Sequence, residues 1–326
     1  MKSSYSSILV VGGAGFIGLH VNKMLHSHGY NTVIFDNLSQ GSKQAITHGK
    51  LFEGSIGCKE DLEKVFSQNP IQAVMHFAAL TDVGESVIEP AKYYIQNVTN
   101  TINLLEAMRK YEIKTLVFSS SAAIFGVPKS PRINECHPCL PINPYGKSKL
   151  MVETIMTDYD LAYGLKSSCL RYFNAAGGDP EGEIKNYKRK DNNLIPLILR
   201  SLLHPQGGPI TIFGTDYPTL DGTCIRDYIH VDDLASAHIL AMEQLIRERR
   251  SSHYNLGNGN GFSVRQVIAS VERVTGKKVN VVEGAKRPGD PAILVADSQK
   301  AQSELGWHAK YPELDTMVAH AWQALI

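Results

Sequence analysis

Short β-branched and aliphatic runs alternate with longer segments of helical periodicity through the first half of this chain. Ile8–Val11, Thr32–Phe35, Ala73–Phe77, Thr115–Ser119 and Ser168–Tyr172 read as strands, and residues 16–28, 59–68, 90–110 and 145–163 as the helices between them. Such alternation predicts an α/β fold with a doubly wound parallel sheet covered by helices on both faces. Ligands bind such sheets beyond the carboxyl ends of the strands.

After Asn174 the pattern changes. Glycine, proline and charge interrupt the chain through Asp191, and later strand runs are shorter. Residues 1–173 therefore form a first domain, and residues 174–326 mainly a smaller C-terminal α/β domain that closes over a substrate. The segment 225–250, with the helical stretch Asp232–Leu245, is expected to return to the first domain.

Charge is nearly balanced, with 33 Lys plus Arg against 32 Asp plus Glu, so no global field points to nucleic acid or an anionic membrane. Two basic clusters, Lys185–Lys190 and Arg247–Arg250, read as a solvated loop and a helix end. Five cysteines at irregular spacing make no disulfide framework. Cys136-His137-Pro138-Cys139 has metal-like spacing but no second ligand pair, so no metal is expected. The apolar run after Lys2 is too short for a signal peptide and dissolves into glycines, and no stretch has the length needed to span a bilayer. A cytoplasmic protein is the simplest expectation.

Gly12, Gly15 and Gly18 follow the first strand and open the first helix. Without Cβ atoms they let backbone N–H groups and the helix N-terminus approach a pyrophosphate, as in a Rossmann-like dinucleotide fold. Asp36 ends the next strand, where a carboxylate accepts bonds from ribose hydroxyls and repels a 2′-phosphate. That combination predicts NAD rather than NADP.

Further along, Tyr145 precedes Lys149 by one helical turn, so both lie on one face. A phenol ordinarily ionises near pH ~10, and a neighbouring ammonium favours the phenolate. Tyr145 is thus a candidate general base, with Ser121 at the end of Phe118-Ser119-Ser120-Ser121 placed to hold a substrate hydroxyl.

These residues resemble the extended short-chain dehydrogenase/reductase superfamily, and within it the UDP-glucose (UDP-galactose) 4-epimerases. The resemblance covers nearly the whole chain. Its most specific pieces are His76-Phe77-Ala78-Ala79, Val83-Gly84-Glu85-Ser86, Asn143-Pro144-Tyr145-Gly146-Lys147-Ser148-Lys149, Arg171-Tyr172-Phe173-Asn174, Asn192-Asn193-Leu194 and the stretch from Asp216 to His230. It implies epimerisation through a 4-keto sugar, with Tyr145 as base and NAD retained through turnover. The cofactor set it implies is Gly12, Gly15, Phe16, Ile17, Gly18, Asp36, Asn37, Ser55, Ile56, Phe77, Ala78, Ala79, Gln96, Ser119, Tyr145, Lys149 and Phe173. The implied UDP-sugar contacts are Ser121, Tyr145, Asn174, Asn193, Leu194, Arg226, Arg287, Asp290 and Leu294, the arginines as charge-assisted partners of phosphate. A homodimer through helices 90–110 and 145–163 is implied as well.

Departures from the pattern matter. Ser55 replaces a carboxylate that contacts adenine, Thr81 a lysine, Gln96 an asparagine, and Cys224 a glycine before the substrate arginine. Leu294 stands where tyrosine is frequent, which opens the question of N-acetylated sugars. A 4,6-dehydratase would need an acid/base pair where Ala122-Ala123 stand. A UDP-pentose or uronate 4-epimerase, and a non-catalytic NAD-binding regulator, are the other readings; the second sits poorly with an intact Ser121, Tyr145 and Lys149.

Overall fold

The computed structural model describes residues 6–185, 193–204, 208–287 and 290–326. Lys2, most of the 185–190 basic run, Asn192 and the Pro288-Gly289 pair lie outside the described residues.

In chain order the first unit comprises β1 (Ser7–Val11), α1 (Phe16–Ser27), β2 (Asn31–Asp36), β3 (Lys50–Glu53), α2 (Lys59–Gln68), β4 (Ile71–His76), α3 (Val83–Ile88), α4 (Pro90–Tyr93), α5 (Asn100–Lys110), β5 (Thr115–Ser121), α6 (Pro144–Tyr163) and β6 (Lys166–Tyr172). Next come β7 (Asn174–Ala176), α7 (Leu194–Leu203), β8 (Ile210–Phe213), β9 (Ile225–His230), α8 (Val231–Glu248) and β10 (Ser252–Leu256). The chain ends with β11 (Gly261–Ser263), α9 (Val264–Thr275), β12 (Val281–Gly284), β13 (Ile293–Leu294), α10 (Gln299–Leu305) and α11 (Leu314–Gln323).

Seven parallel strands form the main sheet in the order β10-β6-β5-β4-β1-β2-β3. Ile8, Leu9, Val10 and Val11 are all buried, because helices cover both faces and leave a central strand no solvent side. The sequence pattern missed β3 and β10. The latter, Ser252-His253-Tyr254-Asn255-Leu256, extends the sheet beyond β6. Helix α8 packs on α1, β5 and β6, whereas β9, just before it, belongs to a second sheet with β11, β13 and β7. The chain thus comes back to the main sheet over 231–256, later than the 225–250 span expected from sequence.

The predicted helix 90–110 is three pieces. Between α4 and α5, Tyr94–Thr99 forms a wider π-helical turn. Such turns gather at functional sites. Asn97, on this turn, is buried; its amide accepts from Leu80 N at 2.8 Å and donates to Leu80 O at 3.0 Å and Ser148 Oγ at 3.0 Å.

Candidate active site

The glycine turn forms because the backbone must pass close to itself. A Cβ on Gly12, whose φ is +77°, would lie 2.5 Å from Ala78 N, and one on Gly18 would lie 2.5 Å from Gly12 O. Helix α1 starts directly beyond, at Phe16, with Ile17 following. No side chain caps it and its first turn carries no acidic residue, so the positive end of its dipole is left for an anion. That is the fit a dinucleotide pyrophosphate requires. Asp36 stands beside the turn, its Oδ2 accepting from Ala14 N at 3.0 Å and its Oδ1 from Leu38 N at 2.8 Å. Burial raises its carboxyl above the ordinary range, while these two backbone bonds oppose the shift. Its neighbour Asn37 turns back locally, accepting from Ser39 N and Ser39 Oγ.

Other expected cofactor residues rim the carboxyl ends of the same strands. Phe77 N and Ala78 N both donate to Val11 O, at 2.7 and 3.1 Å, which draws Phe77, Ala78 and Ala79 over the end of β1. Ser55 N donates to Asp61 Oδ2, and Ile56 is buried beside it. Gln96, on the π-helical turn, accepts at Oε1 from Asn100 Nδ2 at the start of α5.

The catalytic helix is built by its own N-terminus. Asn143 Oδ1 accepts from Gly146 N at 2.8 Å, Pro144 occupies the first turn, and Gly164 closes the far end in the left-handed conformation. A Cβ on Gly146 would sit 2.4 Å from Ala123 O. Only glycine lets the helix dock this tightly on the loop after β5, and that docking brings Tyr145 to Ser121. Burial pushes the Tyr145 phenol up, and the Ser121 hydroxyl works against that shift. Lys149 Nζ donates to Ser119 O at 2.8 Å, and burial pulls its ammonium down to about 7, with Glu153 pulling the other way. Ser119 Oγ and the Tyr172 hydroxyl share a very short bond.

Residues of β7, α7, β8 and β9 line a separate cavity of about 600 Å³. Asn174, Asn193, Leu194, Arg226, Arg287 and Asp290 all line it. Asn174 is fixed by donating to Asp227 O at 2.8 Å. Arg226 and Asp290 form a very short ion pair with each other, and Arg226 Nη1 also donates to Ile225 O at 2.7 Å. The Arg287 guanidinium stacks on the Phe213 ring, 3.9 Å from its centroid. Phe213, Arg200 and Tyr228 are cavity residues that the sequence reading missed; Phe213 ends a four-residue strand with no motif of its own. Leu294 packs instead with buried Phe173, in a cluster with Ala122, Ile124 and Phe125.

In the Cys136-His137-Pro138-Cys139 segment, His137 serves the loop itself, its Nε2 accepting from Lys129 N at 2.9 Å. Among the described residues no three His, Cys, Asp or Glu side chains gather as metal ligands.

This combination of a dinucleotide turn, a Tyr-Lys helix and a cavity lined by Arg226 and Arg287 defines the class. The chain belongs to the NAD dependent epimerase/dehydratase family, whose model matches residues 8–257. Within it, the chain is 47% identical to the UDP-glucose 4-epimerase of Halalkalibacterium halodurans, over 97% of its own length and 94% of that enzyme's. The crystal structure of UDP-glucose 4-epimerase from Brucella ovis in complex with NAD matches at a TM-score of 0.94 and 45% identity, covering 97% of each chain. The UDP-Glc/GlcNAc 4-epimerase of Campylobacter jejuni matches at 0.85 and 37% identity over 98% of each.

Proposed function

We propose that this chain is a UDP-hexose 4-epimerase that interconverts UDP-glucose and UDP-galactose. The observation that carries the reading is a convergence. Tyr145, Lys149 and Ser121 meet at the carboxyl end of β5, and six residues expected to hold a nucleoside diphosphate line one cavity. Tyr145 accepts the proton of the sugar 4-hydroxyl, which Ser121 holds in line. Arg226 and Arg287 hold the diphosphate while the 4-keto sugar turns about that linkage, and Tyr145 then returns the proton to the 4-oxygen once the sugar presents the opposite face of C4.

NAD, when bound, supplies a hydride acceptor that gives the hydride back, and a positive ring that adds to Lys149 in favouring the phenolate. Its pyrophosphate is assigned to the Gly12–Gly18 turn with Phe16 and Ile17, its adenosine to Asp36, Asn37, Ser55 and Ile56. The nicotinamide side falls to Phe77, Ala78, Ala79, Gln96, Ser119 and Phe173. Residues 1–173 with the later return form the cofactor domain, and most of 174–326 the substrate domain.

A second copy is assigned to the face of α3 to α6, where Val87, Ile88, Ile95, Met151 and Leu161 are exposed apolar side chains. Among the described residues no helix is long and apolar enough to cross a membrane, and a cytoplasmic location is part of the same proposal.

The test is to incubate the purified protein with UDP-galactose or UDP-glucose without added cofactor and follow approach to one equilibrium mixture from both sides. UDP-pentose and UDP-uronate run in parallel, and the cofactor is extracted and identified. No conversion of either hexose with added NAD, or extraction of NADP in place of NAD, sinks the proposal.

A further inference from the structure

Helix α6 turns a third polar residue toward the sheet. Glu153 lies one turn beyond Lys149 and two beyond Tyr145, and is 8% exposed. The three residues meet the serine run at the end of β5 in turn. Tyr145 faces Ser121, Lys149 Nζ donates to Ser119 O, and Ser120 Oγ donates to Glu153 Oε1 at 2.5 Å. Arg171 on β6 is the cross-strand partner of Ser120. It grips the same carboxylate through Nε at 3.1 and 3.2 Å and through Nη2 at 2.6 Å.

The other titratable groups packed around this cluster are held neutral. Burial, then Lys149, pushes His76 of β4 down to about 3, and burial, then Arg171, takes His253 of β10 down to about 4. Burial raises the thiols of Cys139 and Cys169 and the phenol of Tyr172. Among the described residues the basic side chains of this cluster are Lys149 and Arg171, and Glu153 is its carboxylate. Two cations share one carboxylate.

An ammonium stripped of water loses its proton readily unless an anion stands near it. We propose that Glu153, clamped by Arg171 and Ser120, is a positioning residue that acts through Lys149, keeping the ammonium charged opposite Ser119 and in reach of Tyr145. The inference rests on the epimerase reading above. Arg171 works in the opposite sense, spending part of the field of Glu153 on itself.

Tyr145 and Lys149 lie one turn apart on one face of α6, so the limbs of the pH–rate profile are read as those of the pair. In Glu153→Gln the shape stays and the negative charge goes, and both limbs move to lower pH by about one unit, with kcat falling more than KM changes. Arg171→Gln removes a positive charge, and the limbs move up. Glu153→Asp keeps the charge and leaves them near the wild-type positions. Since each single neutralisation strands a buried partner, the double variant Glu153→Gln/Arg171→Gln is made as well; its limbs move down, by less than in Glu153→Gln. The same displacements are read without turnover from the ultraviolet titration of Tyr145, as the difference between each holoprotein and its Tyr145→Phe counterpart. Limbs that stay put in both Glu153→Gln and the double variant, or that move the same way in Glu153→Gln and Arg171→Gln, overturn the inference. A wild-type protein that epimerises nothing overturns the proposed function instead.

Discussion

The side-chain amide of Asn97 donates to Ser148 Oγ at 3.0 Å, and so ties the π-helical turn to the residue beside Lys149. Ser148 Oγ in turn donates to Tyr145 O at 2.7 Å. Asn97→Ala leaves Leu80 N and O, both half-buried, without their side-chain partner. The expected cost is about 1–3 kcal/mol of stability, read from urea unfolding, together with a fall in turnover of up to about a hundredfold as the catalytic helix loses its register. Wild-type stability in that variant contradicts the role.

Tyr145→Phe keeps the ring and its packing but removes the proton acceptor. Turnover falls by about 10²–10⁴-fold, while binding of UDP measured by calorimetry stays near wild type. A variant that keeps more than about a third of the wild-type rate, far above that range, removes Tyr145 from the base role.

The burial of Lys149 has a stability signature with a definite sign. Its folded value near 7 lies below the 10.5 of an unhindered lysine. Between those two values the unfolded chain binds a proton that the folded chain has released. Stability relative to Lys149→Met therefore rises with pH across that window, by at most about 1.4 kcal/mol per unit, and is flat below and above it. Urea midpoints of the cofactor-stripped proteins over a pH series measure the slope. A slope of the other sign shows that Lys149 is held protonated in the folded state.

Leu294 packs against the cluster that holds Phe173 and pairs with Arg226 along β13 and β9. Leucine is smaller than tyrosine there, and room for an acetamido group is the expectation to be tested. The expected outcome is measurable conversion of UDP-N-acetylgalactosamine. Leu294→Tyr is expected to shift kcat/KM toward UDP-galactose by about 1–3 kcal/mol. An unchanged ratio in the variant shows that other side chains set the limit.

What was readable in the residues, and what was not, follows from how local each signal is. The Tyr145-to-Lys149 spacing, the glycine turn and the consecutive apolar strands are set by backbone geometry within a few residues, and the main sheet was legible from them. β10 was not, because Asn255 is polar yet buried. Its backbone N donates to Glu135 Oε1 at 2.7 Å and its Nδ2 to Ile133 O at 2.9 Å, some 120 residues earlier, where no local window reaches. Asn97 and Glu153 escaped for the same reason, since their partners come from other elements. The cavity residue Phe213 has meaning only once Arg287 lies across it.

Two junctions between the sheets have almost no length. β6 ends at Tyr172 and β7 begins at Asn174, with Phe173 alone between them, while β9 ends at His230 and α8 starts at the next residue. A chain severed between the two units would strip β7 and β9 of the strands and helix that anchor them, so neither half is a portable module. Grafting a new sugar pocket onto this cofactor-binding half therefore calls for replacing side chains within the existing strands rather than swapping the unit as a block.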